Sequence, residues 1–182
     1  METKFKIDLE DYLAYQLYSA STNQRIKSQR KRAVIILVIV LICTGIHHFF
    51  RDDNFFAIYF FATTAILSAL LFPLFLKWYY KNYYLRHCKD VYKNNFGEEV
   101  TLAINEDLIQ TKDRSGESSI NISELTEIGE TGQHYFLKLL SGQTVIVPKN
   151  KLNNLDEFKI TLDSIAKKQN IEQKINLNWK WK

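Results

Sequence analysis

Four histidines, two cysteines and a scatter of carboxylates and amines are the side chains that could do chemistry in this chain of 182 residues. His47 and His48 are adjacent, so on a helix they point about 100° apart. A metal pair wants spacing of four or further ligands. Asp52 and Asp53 lie nearby, but with those two histidines they would make only a weak metal or proton site. Histidines near water at the end of an apolar run are the ordinary reading. His87 and His134 stand apart from them. Cys43 lies inside an apolar run and Cys88 beyond the next one, neither in a Cys-x-x-Cys pair. No disulfide is expected between them, and reduced thiols suit a cytoplasmic setting. No phosphate-cradling glycine loop, nucleophile elbow or zinc-protease motif occurs. The expectation is a protein without catalytic residues, metal or cofactor.

The remaining charges read as surface. Lys112 and Arg114 have Asp113 between them and Glu117 close by, a poor phosphate cradle and an ordinary solvated turn. Lys149 and Lys151 beside Pro148 are read the same way. The last residues, Asn178, Trp179, Lys180, Trp181 and Lys182, alternate indole and ammonium in a manner suited to a membrane interface. Net charge is +4, yet residues 1–89 carry 12 Lys/Arg against 6 Asp/Glu, while residues 90–182 carry 12 against 14. The basic excess belongs to the first half, which argues against a folded nucleic-acid module. Asn121-Ile122-Ser123 matches a glycosylation sequon, of no consequence in a cytoplasmic segment.

The elements that hold these residues begin with two apolar runs. Residues 33–50, AVIILVIVLICTGIHHFF, contain no Asp, Glu, Lys or Arg, and residues 55–76, FFAIYFFATTAILSALLFPLFL, contain none either. As helices they span roughly 27 and 33 Å, against a hydrocarbon core about 30 Å thick. Only the loop 51–54 separates them, too short to cross a bilayer, so a transmembrane hairpin is expected. Arg25, Lys27, Arg30, Lys31 and Arg32 precede it, and Lys77, Lys81, Arg86 and Lys89 follow. Basic flanks resist translocation, which places both termini in the cytoplasm. Trp78, Tyr79, Tyr80, Tyr83 and Tyr84 then fall at headgroup depth. Gly45, beside Thr44, and the stripe Ala62, Ala65 and Ala69 would let the two backbones approach closely. Pro73 sits near the inner end of its span, where a kink is tolerated. The opening METKFKIDLEDYLAYQ has no apolar signal core, so cleavage of a secretory peptide is not expected.

Outside the runs, residues 1–32 read as a strand over 4–9 followed by a helix running into the first span. A helix over 83–95 should continue out of the membrane, with Gly97 as its cap, in a connecting segment 77–97. Beyond it the period changes. Short runs at 100–104, 108–111, 118–122, 125–129, 135–140 and 144–147 are rich in Val, Ile, Leu, Thr and Tyr. Turn residues at 105–107, 114–116, 129–132 and 141–142 separate them, the mark of an antiparallel meander. Pro148 closes the last strand. Leu155, Phe158, Leu162, Ile165 and Ala166 then recur at helical spacing, with Asn153 or Asn154 as cap. The fold expected is an α+β membrane protein. Its hairpin carries a cytoplasmic domain over 98–169, a six- or seven-stranded antiparallel sheet or partial barrel closed by a C-terminal helix, with a Trp/Lys tail at 170–182.

Three stretches, FKIDLEDYL (5–13), LAINEDLIQTKDRSGESSINISELTEI (102–128) and HYFLKLLSGQTVIVPKN (134–150), together with the paired spans, resemble the YcxB-like family of bacterial membrane proteins. The resemblance implies a pleckstrin-homology-like distal domain and a multi-pass protein of the bacterial inner membrane. It also implies that strand 5–9 joins the distal sheet. It implies no activity. The expectation is a noncatalytic, membrane-anchored protein whose domain mediates protein, peptide or lipid interaction. The alternative is an oligomeric channel or transport accessory subunit built from the hairpins. Its partners would be the lipid bilayer and a protein or further copies of itself, with no nucleic acid.

Overall fold

The computed structural model describes residues 1–52, 55–105, 107–114 and 116–182. Asp53, Asn54, Glu106 and Ser115, which belong to three of the expected turns, lie outside the described residues. The chain divides into two compact units, one of Met1–Tyr15 and His87–Lys180, the other of Gln16–Arg86 and Trp181–Lys182.

The helical unit is dominated by α2 (Gln24–Asp52) and α3 (Phe55–Val91). The preceding helix, α1 (Leu9–Thr22), does not run into α2 as the sequence suggests. Asn23 interrupts, its Oδ1 accepting the N–H groups of Arg25 at 2.9 Å and Ile26 at 3.4 Å. A side-chain cap of this kind satisfies donors that a helix start leaves orphaned. α3 in contrast runs unbroken for 37 residues through Pro73.

Both α2 and α3 are long and apolar enough to cross a membrane, with mean hydropathies of 2.5 and 2.1 over their most apolar windows. Only 6% of either window is buried, so neither is packed into a core among the described residues. What the pair does bury is a narrow seam. Gly45 is buried, and a Cβ added there would stand 2.9 Å from the Phe61 Cβ. His48 stacks on the same Phe61 ring at 5.9 Å, and Phe49 meets Phe55 edge-on at 5.0 Å. Ala57 and Ala65 are buried, while Ala62 and Ala69 are exposed.

Among the described residues the second unit holds eight strands: β1 (Glu2–Lys6), β2 (Glu99–Ile104), β3 (Leu108–Asp113), β4 (Gly116–Asn121), β5 (Leu125–Thr131), β6 (His134–Leu139), β7 (Thr144–Pro148) and β8 (Glu172–Asn176). They form two four-stranded sheets, ordered β1-β2-β3-β4 and β7-β6-β5-β8. A single six- or seven-stranded sheet is therefore corrected to two sheets, and neither is a closed barrel. β1 pairs antiparallel with β2, Phe5 opposite Val100, so the N-terminal strand does join the distal sheet. β8, read from sequence as part of a tail, pairs parallel with β5. Its sequence EQKIN has one apolar residue and carries little strand signal. The expected turn at 129–132 is shorter, since β5 runs through Thr131. Gly132 is needed there, because a Cβ would meet the Leu177 carbonyl oxygen at 2.7 Å.

Helix α4 (Leu155–Gln169) buries Phe158, Leu162, Ile165 and Ala166, and the Asn154 side chain accepts from the Glu157 N–H. Asn170 in the left-handed region ends it. The core holds Leu102, Ile109, Ile122, Leu137, Val147 and Phe158, each without measurable or nearly without exposed surface. α3 stops at Val91, before the expected Asn95. Gly97, at φ +73°, instead gives its N–H to the Ile7 carbonyl at 3.1 Å.

The Gly45 seam predicts a coupled pair. Gly45→Val forces a clash with Phe61 and lowers the melting temperature of the detergent-solubilised chain. In the Phe61→Ala background the same substitution costs much less, because the obstructing ring is gone. Equal losses in both backgrounds would show that the two residues do not touch.

Candidate functional site

Some of the ionisable side chains of the β-rich unit, Asp11, Glu130, His134 and Lys149 among them, are gathered into two largely buried clusters. The first begins at the start of α1. The Asp8 carbonyl accepts the first helical bonds, and the Asp11 carboxylate reaches back to the Asp8 N–H at 2.8 Å, half of a capping box. Asp11 also receives His134 Nε2 at 2.9 Å on one oxygen and Lys151 Nζ at 2.7 Å on the other. Lys151 further bonds Asp8 at 2.7 Å and the Lys6 carbonyl at 3.0 Å. Both side chains of the Asp11–His134 pair are only 9% exposed. Burial alone would raise the Asp11 pKa, but the bonds from His134, the Asp8 N–H and Lys151, with the lysine's charge, hold it below its ordinary value.

The second cluster spans β5, β6 and the turn after β7. Lys149 Nζ meets Glu130 at 2.6 Å, both side chains nearly buried, and lies 4.4 Å from the centre of the Tyr135 ring. Burial, then the Glu130 charge, pushes the Tyr135 phenol well up, so it stays neutral. The expectation that Lys149 and Lys151 occupy a solvated turn is thus corrected. Lys112 and Arg114 do lie in solvent, paired with Glu117 and Glu98.

Chemically, an Asp–His pair can orient an imidazole for proton transfer. Here the imidazole is buried and stacks on Phe136, and its paired nitrogen faces a carboxylate already held by lysine. The arrangement fastens elements together: residues 8–11 to β6 and to the turn after β7. Tyr12, stacked on Tyr92 at 4.2 Å, and Tyr15, bonded to Thr144 at 3.0 Å, extend the same join. Among the described residues no group of three His, Cys, Asp or Glu is placed to hold a metal. Cys43 is exposed and Cys88 buried, both free.

The open features of this unit lie elsewhere. A groove of about 300 Å³ crosses the first sheet, lined by Glu2, Thr101, Gln110, Lys112 and Ser119 among others. It ends at β4, an edge strand whose residues are almost all exposed.

In the helical unit Trp78, Tyr79 and Tyr83 are exposed, and Tyr80 is half-buried with the Arg30 guanidinium 5.7 Å from its ring centre. Trp181 is buried, its Nε1–H donating to the Lys77 carbonyl at 2.9 Å and its ring 4.8 Å from the Arg30 guanidinium. Trp179 belongs to the other unit and is half-buried. Sequence reasoning missed Asp11, Glu130 and His134 as a set. The one available signal was that Asp11, His134 and Lys149 lie within the stretches that carry the family resemblance.

Asp11→Asn removes a carboxylate whose folded pKa is depressed, so the stability it contributes is full above the unfolded value and is lost as pH falls through the folded one. At neutral pH this variant should lose about 1–3 kcal/mol. Thermal melts of wild type should fall from about pH 4 downward, and the variant's should fall less. Parallel pH profiles would remove Asp11 from the join.

Residues 104–159 match the model of the family described as YcxB-like protein. The match runs from the end of β2 into α4 and includes Glu130, His134, Lys149 and Lys151. It covers well under half of the chain and confirms the resemblance over that segment. No curated protein and no solved structure matches significantly.

Proposed function

From a chain that is YcxB-like over residues 104–159, we propose a noncatalytic membrane anchor that presents a peptide- or protein-binding domain in the bacterial cytoplasm. In this reading α2 and α3 cross the inner membrane as a hairpin, and the β-rich unit is a pleckstrin-homology-like domain of two sheets and a closing helix. The observation that carries the architecture is the composition of that unit. Met1–Tyr15 and His87–Lys180, from either side of the apolar helices in sequence, form one folded body. Five consecutive residue pairs join β1 to β2, and Asp11 joins His134 across 123 residues. Flanks that fold together must lie on one side of a membrane, so the helices between them cross an even number of times. The basic residues on both flanks make that side the cytoplasm.

The binding role rests on which polar groups are left open. The buried charges are already paired, whereas β4 presents an unpaired edge beside the groove. A partner segment can add to such an edge by main-chain bonds, with the groove reading its side chains. The Ile122 N–H donates to the Asp107 carbonyl, and Leu108 stands opposite Asn121. Alternation then turns the Ser119 N–H away from β3, toward the partner.

Two outcomes follow. A fluorescent reporter fused after Lys182 should light up in the cytoplasm, and a phosphatase at the same place should stay inactive; the reverse would refute the orientation. A photo-crosslinker at Ser119 should capture a partner in cells, and Ser119→Pro should abolish capture of a partner crosslinked from Lys112 while leaving the melting temperature unchanged. Capture undiminished by the proline would exclude edge addition.

A further inference from the structure

The helical unit contains a cavity that the anchoring role does not use. It measures about 670 Å³, within the range of ligand sites, and lies where the basic flanks of α2 and α3 meet their apolar runs. Its walls on the apolar side include Val34, Ile35, Pro73 and Leu74, and its rim carries Lys27, Arg30, Lys31, Lys77 and Lys182. No Asp or Glu among the described residues lines it. Among the described residues Lys27, Lys31 and Lys77 have no carboxylate partner.

Five cationic side chains around one opening, with only the Lys182 main-chain oxygen to offset them, repel each other, and an anion relieves that repulsion. The apolar walls below them ask for a hydrocarbon chain. One class of molecule has both parts joined at this distance: an anionic phospholipid. We propose that this cavity is a binding site for one anionic phospholipid of the cytoplasmic leaflet, its phosphate among Lys27, Arg30, Lys31 and Lys77 and an acyl chain along Val34, Ile35 and Leu74. The inference rests on the membrane reading above and adds a specific lipid to it. Basic pockets between helices on the cytoplasmic side are suited to such headgroups.

Arg30 shows that the rim is built. Its guanidinium lies 4.8 Å from the Trp181 ring centre and 5.7 Å from that of Tyr80, and it donates to the main-chain oxygen of Lys182 at 2.8 Å. Trp181 is itself held by its bond to the Lys77 carbonyl. One of five guanidinium N–H donors is thus spent on holding the group in place, leaving others for a phosphate. The Trp/Lys tail supplies part of the rim, a role that its alternation of residue types does not reveal.

The test uses the full chain in lipid discs of equal phosphatidylglycerol and phosphatidylcholine, released for native mass spectrometry. The retained lipid should be phosphatidylglycerol, favoured about ten-fold or more. Lys27→Gln/Arg30→Gln/Lys31→Gln should abolish the preference, and the surface control Lys159→Gln/Lys168→Gln should keep it. Ile35→Trp, which fills the apolar wall without touching charge, should reduce retention of the lipid, and glycerol phosphate alone should not displace it. Equal retention of the two lipids by wild type, an unchanged preference in the triple variant, or full displacement by glycerol phosphate would each overturn the proposal. A chain that fails to enter the discs refutes the membrane reading; a chain that enters without lipid preference refutes only this site.

Discussion

Water is a poor solvent for α2 and α3, and among the described residues only 6% of either apolar window is buried. More than a dozen large apolar side chains on these helices are exposed, among them Ile36, Phe56, Leu67 and Leu70. Covering one fully is worth about 1.5–3 kcal/mol, so leaving them all in water would cost more than the ~5–15 kcal/mol that holds a typical domain together. Among the described residues the helices meet along a narrow seam that includes Gly45, Phe61 and Ala65 and, near the junction, Phe49 and Phe55. A helix satisfies its own backbone polar groups, and neither apolar run contains an Asp, Glu, Lys or Arg. A bilayer is the environment that we propose resolves the mismatch.

A second constraint depends on that one. The β-rich unit is assembled from chain segments that precede and follow the helices in sequence, so in the proposed membrane the intervening stretch must return to its starting side. β1 reaches β2 for its backbone bonds, and the Asp11 carboxylate needs the amine of Lys151 and the imidazole of His134. Each pairing is long-range in sequence, and the hairpin that we propose for α2 and α3 would satisfy them all. The buried charges therefore act as fasteners, and the binding edge that we propose is the exposed strand β4.

How much of this can be read from residues alone follows from distance along the chain. The apolar runs are continuous and local, and the long helices appear where their composition puts them. Strands β2 to β7 alternate or cluster apolar residues between turn signals, and α4 carries both its stripe and its Asn154 cap. What fails is non-local or weakly patterned. Asn23 breaks a helix through a side-chain cap that composition does not announce. β8 has one apolar residue in five and is held to β5 by backbone pairing and by Lys174 on Glu127 at 2.8 Å. Lys149 and Lys151 follow a proline in a lysine-rich turn, and only the fold shows that Glu130 and Asp11 lie beneath them. The Gly129–Gly132 region has turn composition, yet three of its residues extend a strand.

The most direct measurement is the partition of the full chain after cells are broken and their membranes washed in alkaline carbonate, which strips proteins held only by surface charge. The chain is expected to stay entirely in the membrane pellet and to leave it only with detergent. Release into the carbonate supernatant as a lipid-free monomer would contradict the transmembrane hairpin at its root.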